Sequence, residues 1–337
     1  MQNKTFRLFI SSTFSDFNQE RRLLQTYVFP TIKKYCIDLN KGYTFQPIDL
    51  RWGVSNEAQL DQKALELCIE EVQSSKVQPH PNFLIMAGDR YGWIPLPYDI
   101  EQKEFETIVE QIQKDEDIAL LKNWYDLDLN QLPASYIIKE RSDKYEDFNN
   151  WIVVEDRLRD ILQNAVNNTN ISPQQKEKYF TSATEHEVVE GIFGYKNITS
   201  FQDTLAKKDS NYPQLDNEHI YGYIRDIESI EDNSYDDNFL DTDKKEANNF
   251  KNELRTAIKD ENILEVKANL KELGKDELNG SLNYTYKALK NEKDSKFVET
   301  MIKFLKQTID NFQAEDNYTP QQLEAYEQQR FKDDKLK

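Results

Sequence analysis

From Thr5 to Ser11 apolar and polar positions alternate, with Phe6, Leu8 and Ile10 on one side, and the run ends in Ser11-Ser12-Thr13. A period of two predicts a first strand followed by a polar loop. Ser15 or Asp16 is placed to cap a helix beginning near Phe17, with Glu20 in its first turn. Leu23, Leu24, Tyr27, Val28, Ile32, Tyr35 and Cys36 keep helical spacing; Pro30 predicts a kink and Gly42 an end. Thr44 to Asp49 reads as a second strand, closed by Asp49-Leu50-Arg51-Trp52-Gly53. A second helix over 62–74 puts Ala64, Leu65, Cys68, Ile69 and Val72 on one face. The uninterrupted apolar run Phe83 to Ala87 then predicts a strand buried on both faces, in the middle of a parallel sheet. Strand, helix, strand, helix, strand at this spacing implies an α/β fold with right-handed crossovers.

The pattern loosens after residue 100. Residues 100–180 read as a mostly helical, polar insertion with one strand at Ser135 to Lys139. Ser182 with Glu185 three residues on matches a capping box. His219 to Arg225 predicts the last strand, and the acidic stretch Asp226 to Asp243 a mobile linker. Beyond it the chain predicts four or five helices, with Phe297, Met301, Phe304, Leu305, Ile309 and Phe312 as one apolar set. The resulting organisation is an α/β domain over 1–228, a linker over 229–243 and a helical segment over 244–337.

Composition narrows the function classes. With 38% apolar and 12% aromatic residues the 337-residue chain builds a real core. Its net charge of −18 arises beyond residue 100, since the first hundred residues hold 11 basic and 11 acidic side chains. So acidic a surface repels phosphate backbones and argues against direct nucleic-acid binding. No apolar run approaches bilayer length and no charged-then-apolar leader opens the chain, so no membrane role is expected. Cys36 and Cys68 sit in helical apolar patterns, as buried thiols of a cytoplasmic protein would. His80, His186 and His219 lack ligand-like spacing, and no metal is expected.

The candidate chemistry gathers at the strand ends. Phe83–Ala87 runs straight into Gly88-Asp89-Arg90-Tyr91-Gly92-Trp93, and ligands of open α/β sheets bind at that edge. Ser11, Ser12 and Thr13 either hydrogen-bond a ribose or phosphate or form a loop and cap. Asp49 with Arg51, and Asp89 with Arg90, read as charge pairs bracing loops, although Arg90 also suits a pyrophosphate. Trp52 and Trp93 either stack on a ligand ring or belong to the core.

Phe-Ile-Ser-Ser-Thr-Phe (9–14), Asp16 with Glu20-Arg21, Phe29-Pro30, Asp49-Leu50-Arg51-Trp52-Gly53-Val54 and Gly88-Asp89-Arg90-Tyr91-Gly92-Trp93-Ile94-Pro95 occur in this order. Together they resemble the uncharacterised TIR-like domain, domain of unknown function 4062. That domain opens NACHT–WD-repeat proteins, telomerase-associated proteins and bacterial STAND-ATPase relatives. Ser182-x-Thr184-Glu185-x-Glu187 and Tyr223-Ile224-Arg225-Asp226 extend the likeness across about residues 5–228. The tail is more loosely similar to the segment before the nucleotide-binding module, but no Gly-x-x-x-x-Gly-Lys phosphate loop occurs.

The resemblance implies a flavodoxin-like parallel sheet. It also implies an effector role in antiviral defence, switched on when a STAND/NACHT assembly self-associates. TIR-like enzymes split the nicotinamide–ribose bond of NAD with one carboxylate near a helix start and no metal. Glu187 is the candidate here, because the capping box occupies Glu185; Glu185 is the second choice, and Gly191, one turn on, would allow close approach. Two other readings stay open: a non-catalytic interaction or oligomerisation module, and a nucleoside or nucleotide N-glycosidase.

Overall fold

The middle of the fold is where the two-residue period is cleanest. The computed structural model describes residues 4–13, 15–50, 62–76, 81–193, 220–230, 239–275, 282–286 and 295–315. Strand β1 (Thr5–Ser12) is followed by helix α1 (Asn18–Leu23), a π-helical turn over Leu24–Val28, and α2 (Phe29–Asp38). Pro30 has no N–H to give the preceding turn, and the backbone answers with that wide turn where the sequence predicts a kink. Strand β2 (Thr44–Ile48) pairs parallel with β1, and as an edge strand it tolerates Pro47. Helix α3 (Ala64–Lys76) leads to β3 (Phe83–Ala87), which pairs parallel with the other side of β1.

The next segment is mainly helical with a strand from Ser135, as expected, and adds two short strands that were not expected. Strands β4 (Asp99–Glu101), β5 (Tyr125–Asp128) and β6 (Ser135–Ile138) make a small antiparallel sheet of order β4-β6-β5. Around it lie helices α4 (Gln102–Val109), α5 (Asp115–Trp124), α6 (Phe148–Asn167) and α7 (Pro173–Glu177). This unit buries its own apolar cluster, including Phe105, Trp124, Tyr125, Trp151 and Tyr179. The two flanking strands are too short and too polar for their period to be read from the chain.

Helix α8 (Ala183–Val188) returns to the main sheet and continues as a π turn over Val189–Phe193. Strand β7 (Ile220–Ile230) pairs parallel with β3, and helix α9 (Lys245–Ala257) connects it to β8 (Ile263–Lys275), which pairs parallel with β7. Strand β9 (Leu282–Tyr286) closes the edge antiparallel, and helix α10 (Lys296–Glu315) packs back on the sheet. The tail therefore is not all helix: β8 and β9 complete a six-stranded sheet of order β2-β1-β3-β7-β8-β9. Nor is Asp226 to Asp243 simply a linker. Its first residues extend β7, and Phe239 and Leu240 are buried, with Leu240 bridging Asp89. The five parallel strands have the flavodoxin-like order, whose switch point lies between β1 and β3.

Alternation sorts the core into two layers. Phe6, Leu8, Ile10, Leu84, Met86, Tyr221 and Tyr223 face α1, α2 and α10. Phe9, Phe83, Ile85, Ala87, Ile220 and Ile224 face α3, α8 and α9. Burial on both faces is why β3 is uniformly apolar, and each such side chain contributes about 1.5–3 kcal/mol. Gly191 is the close approach in the second layer. A Cβ there would lie closer than 3.0 Å to the ring of Phe83, so the space the sequence suggests for a ligand is occupied by core. Gly191→Ala is expected to lower stability by about 1–3 kcal/mol in urea unfolding through overpacking; an unchanged midpoint would contradict this contact.

Candidate functional site

The carboxyl ends of β1 and β2 and the first turns of α1 and α8 enclose a buried polar cluster. Ser182 starts α8 by accepting the N–H of Glu185, and one turn into the helix Glu187 turns inward, 7% exposed. Ser11 Oγ donates to Glu187 Oε2 at 2.6 Å, and the thiol of Cys68 on α3 donates to the same carboxylate. Burial pushes the Glu187 carboxyl up from 4.5 to about 7; the bonds from Ser11 and Cys68 and the nearby Arg21 charge hold it from going further. Beside it Arg21 donates from Nε and Nη2 to Ser12 Oγ, at 3.1 and 2.8 Å, and pairs through Nη1 with Asp49.

The candidates thus separate by partner. Ser11, Ser12, Asp49 and Glu187 come together; Thr13 donates instead to Asp16. Neither Ser15 nor Asp16 caps α1, which starts with Phe17 as its N-cap residue and no side-chain cap. Asp16 pairs with Arg225. Arg51 and Trp52 lie outside the described residues; among the described residues Asp49 pairs with Arg21. Asp89 and Arg90 do not brace one another. Asp89 accepts from Lys251 at 2.5 Å, from Lys244 at 3.2 Å and from the Ile227 N–H, and these bonds hold its carboxyl below the usual range despite burial. Arg90 donates to Ser15 Oγ at 2.5 Å and lies 3.5 Å from Asp241.

The capping box is only half formed. Glu185 sends its carboxylate to the Tyr91 hydroxyl, which in turn accepts the N–H of Ser182 at 3.2 Å, so a phenol stands between the two reciprocal partners. Tyr91 is fixed at the other end by its N–H to Asp241. Glu185 is therefore held by Tyr91, while Ser11 bonds to Glu187. Trp93 is exposed, its indole N–H donating to Glu155 Oε1 at 3.0 Å, and its carbonyl accepts the Ala183 N–H at 2.9 Å.

Two members of the cluster carry no assigned role in the sequence reading. Arg21 had a legible signal: with Phe17, Leu24 and Val28 it occupies the inward stripe of its helix, where a cation needs a buried acid. Cys68 is core, as expected, at 7% exposed, but nothing in its spacing announces a bond to Glu187. Among the described residues no helix is long and apolar enough to cross a membrane.

Comparison with known proteins accords with this architecture. The chain is 29% identical over 209 residues to human NACHT and WD repeat domain-containing protein 2, covering 55% of this chain and 12% of that protein. It is 30% identical over 175 residues to mouse NACHT domain- and WD repeat-containing protein 1, covering 51% and 11%. Against mouse telomerase protein component 1 it is 38% identical over 97 residues, covering 29% and 3%. The chain thus spans about an eighth or less of the length of these relatives. No solved structure matches it. The family model described as "Domain of unknown function (DUF4062)" matches residues 7–179, just over half of the sequence, and the chain belongs to that family.

Proposed function

We propose that this domain is the cytoplasmic effector of a NACHT-type defence protein, cleaving NAD at the nicotinamide–ribose bond when its parent assembles through self-association. The observation that carries the reading is the Glu187 carboxylate, oriented by Ser11 beside Arg21 at the switch point of the sheet. In the reaction the C1′–N bond breaks with its electron pair going to nicotinamide, which leaves neutral and needs no general acid. Glu187 faces the oxocarbenium-like ribose, water adds at C1′, and a proton is released. Ser11 holds the carboxylate in place; Ser12, Thr13 and Arg21 form the polar wall toward ribose and phosphate. Asp89 and Arg90 brace the neighbouring loop through Lys251 and Ser15. Only ionised Glu187 stabilises the cation, so activity rises with pH through about 7.

The test is nicotinamide release from NAD, followed by chromatography at high protein concentration, for the parent chain and Glu187→Ala. Release by the parent, falling about a hundredfold or more in the variant, is the expected result. Equal release by both would remove Glu187 and bring Glu185 forward. Cleavage of free nucleosides alone would select the N-glycosidase reading.

One observation favours a non-catalytic interaction module instead. Asp89, Arg90 and Glu185 are committed to partners within the chain, and Glu187 itself is almost closed off. Under that reading the chain self-associates with concentration while NAD neither binds nor breaks.

A further inference from the structure

Trp93 is unlike the tryptophans of the inserted unit. Trp124 and Trp151 are buried at 5% and 2%, whereas Trp93 leaves 44% of its surface in solvent at the carboxyl edge of the sheet. Its position is nevertheless fixed at both ends. The backbone carbonyl caps the start of α8 through Ala183, four residues before Glu187, which is about 6 Å along a helix axis. Gly92, at φ +98°, lets this loop press against β1: a Cβ there would meet Thr13 Cγ2 at 2.7 Å and Thr184 Oγ1 at 3.7 Å. The indole N–H is held by Glu155 of α6, a carboxylate only 2% exposed.

Burying an acid to anchor an exposed ring is costly unless the acid is compensated. The second oxygen of Glu155 lies 3.5 Å from Arg159 Nη2, and Arg159 also donates to the Ile94 carbonyl at 2.7 Å and to Asp156 at 2.6 Å. The inserted unit therefore clamps the Trp93 loop by side chain and by backbone. A carboxylate accepting the indole N–H also enriches the ring in electrons, and an electron-rich indole face attracts cations most strongly of all side-chain rings.

We infer that Trp93, set by Glu155, is the platform on which a positively charged planar heterocycle, a pyridinium ring, stacks at the start of α8, the helix that carries Glu187. This rests on the NAD reading of the site and names the part of the substrate that the inserted unit selects. Glu155 acts through Trp93 and is a positioning residue. The pyridinium charge is lost when nicotinamide departs, so the same platform releases the product that it held as substrate.

The probe is 1-methylnicotinamide, which carries the ring and its charge but no bond to cleave, with neutral nicotinamide as control. Tryptophan emission of the full chain is expected to be quenched by 1-methylnicotinamide to saturation, and nicotinamide to bind several-fold more weakly. Trp93→Leu weakens binding about tenfold. Glu155→Gln keeps an acceptor for the indole N–H and removes the charge, so the preference for the cationic probe shrinks while the melting temperature stays near that of the parent. Linear, non-saturating quenching, or binding unchanged in both variants, overturns the inference. Binding at Trp93 without any NAD cleavage would sink the glycohydrolase reading alone. NAD cleavage that needs Glu187 but ignores both variants would sink only the platform.

Discussion

Replacing Arg225 by methionine is expected to destabilise the fold by about 3–5 kcal/mol, the typical loss when one partner of a buried ion cluster is removed. Arg225 is 0% exposed in the middle of β7 and meets Asp16 Oδ2 at 2.9 Å and Glu20 Oε1 at 3.0 Å, both equally buried. Its guanidinium also lies 4.2 Å from the ring centroid of Phe17. Gly88 makes room for the group, since a Cβ there would meet Asp16 Oδ2 at 2.9 Å and Arg225 Nη2 at 3.0 Å. Burial raises both carboxyls above their ordinary values, and the Arg225 charge opposes that rise. Without Arg225 both acids hold protons to still higher pH in the folded state than in the unfolded one. Stability then falls as pH rises, and the deficit of the variant is smallest near pH 4 and grows toward pH 8. Urea unfolding across that range measures it, and a deficit independent of pH would show that lost packing, not charge, is responsible. Adding Asp16→Asn and Glu20→Gln to the methionine variant should recover much of the loss, because a neutral cluster leaves no charge unpaired.

This cluster explains why parts of the fold were legible and parts of the site were not. Strand β1 and the inward stripe of α10 are readable because burial on one face of a regular element imposes a period, and β3 because burial on both faces makes it a continuous apolar run. The polar blocks are a different matter. Arg225 lies 209 and 205 positions from Asp16 and Glu20 yet forms one ion group with them, and Arg21 and Asp49 form another. Proximity in sequence suggests pairing Asp89 with Arg90, whereas the fold brings Lys251 to that acid from another element, as it brings Arg21 to Asp49. Long-range pairing at strand ends is set by topology, which no local pattern encodes. Strands β4 and β5 were hidden for a simpler reason: they are only three and four residues long and acidic, and β8 opens with exposed Glu265 and Lys267, residues depleted in strands.

Glu187→Gln is expected to stabilise the chain at neutral and alkaline pH while it abolishes the proposed reaction. The folded-state carboxyl titrates near 7 against an ordinary value of 4.5. Between those values the folded chain keeps a proton that the unfolded chain has released, so this group lowers stability as pH rises through that window. By pH 8 the accumulated penalty is about 3 kcal/mol. Glutamine, neutral throughout, still accepts from Ser11 and avoids the penalty. The difference between variant and parent in urea unfolding should therefore be close to zero near pH 4, open between about pH 5 and 7, and be constant above pH 8. Parallel curves at every pH would mean that Glu187 ionises as an ordinary surface acid and is not the enclosed carboxyl described here. The direction of the effect bears on function as well. Ser11, Cys68 and Arg21 are arranged about Glu187 in a way that tolerates the charged form, whereas a purely structural cluster gains from a neutral residue of the same shape. A buried acid that costs stability at the pH where it is ionised is a candidate functional group, and under the NAD reading proposed above its charge would face the ribosyl cation.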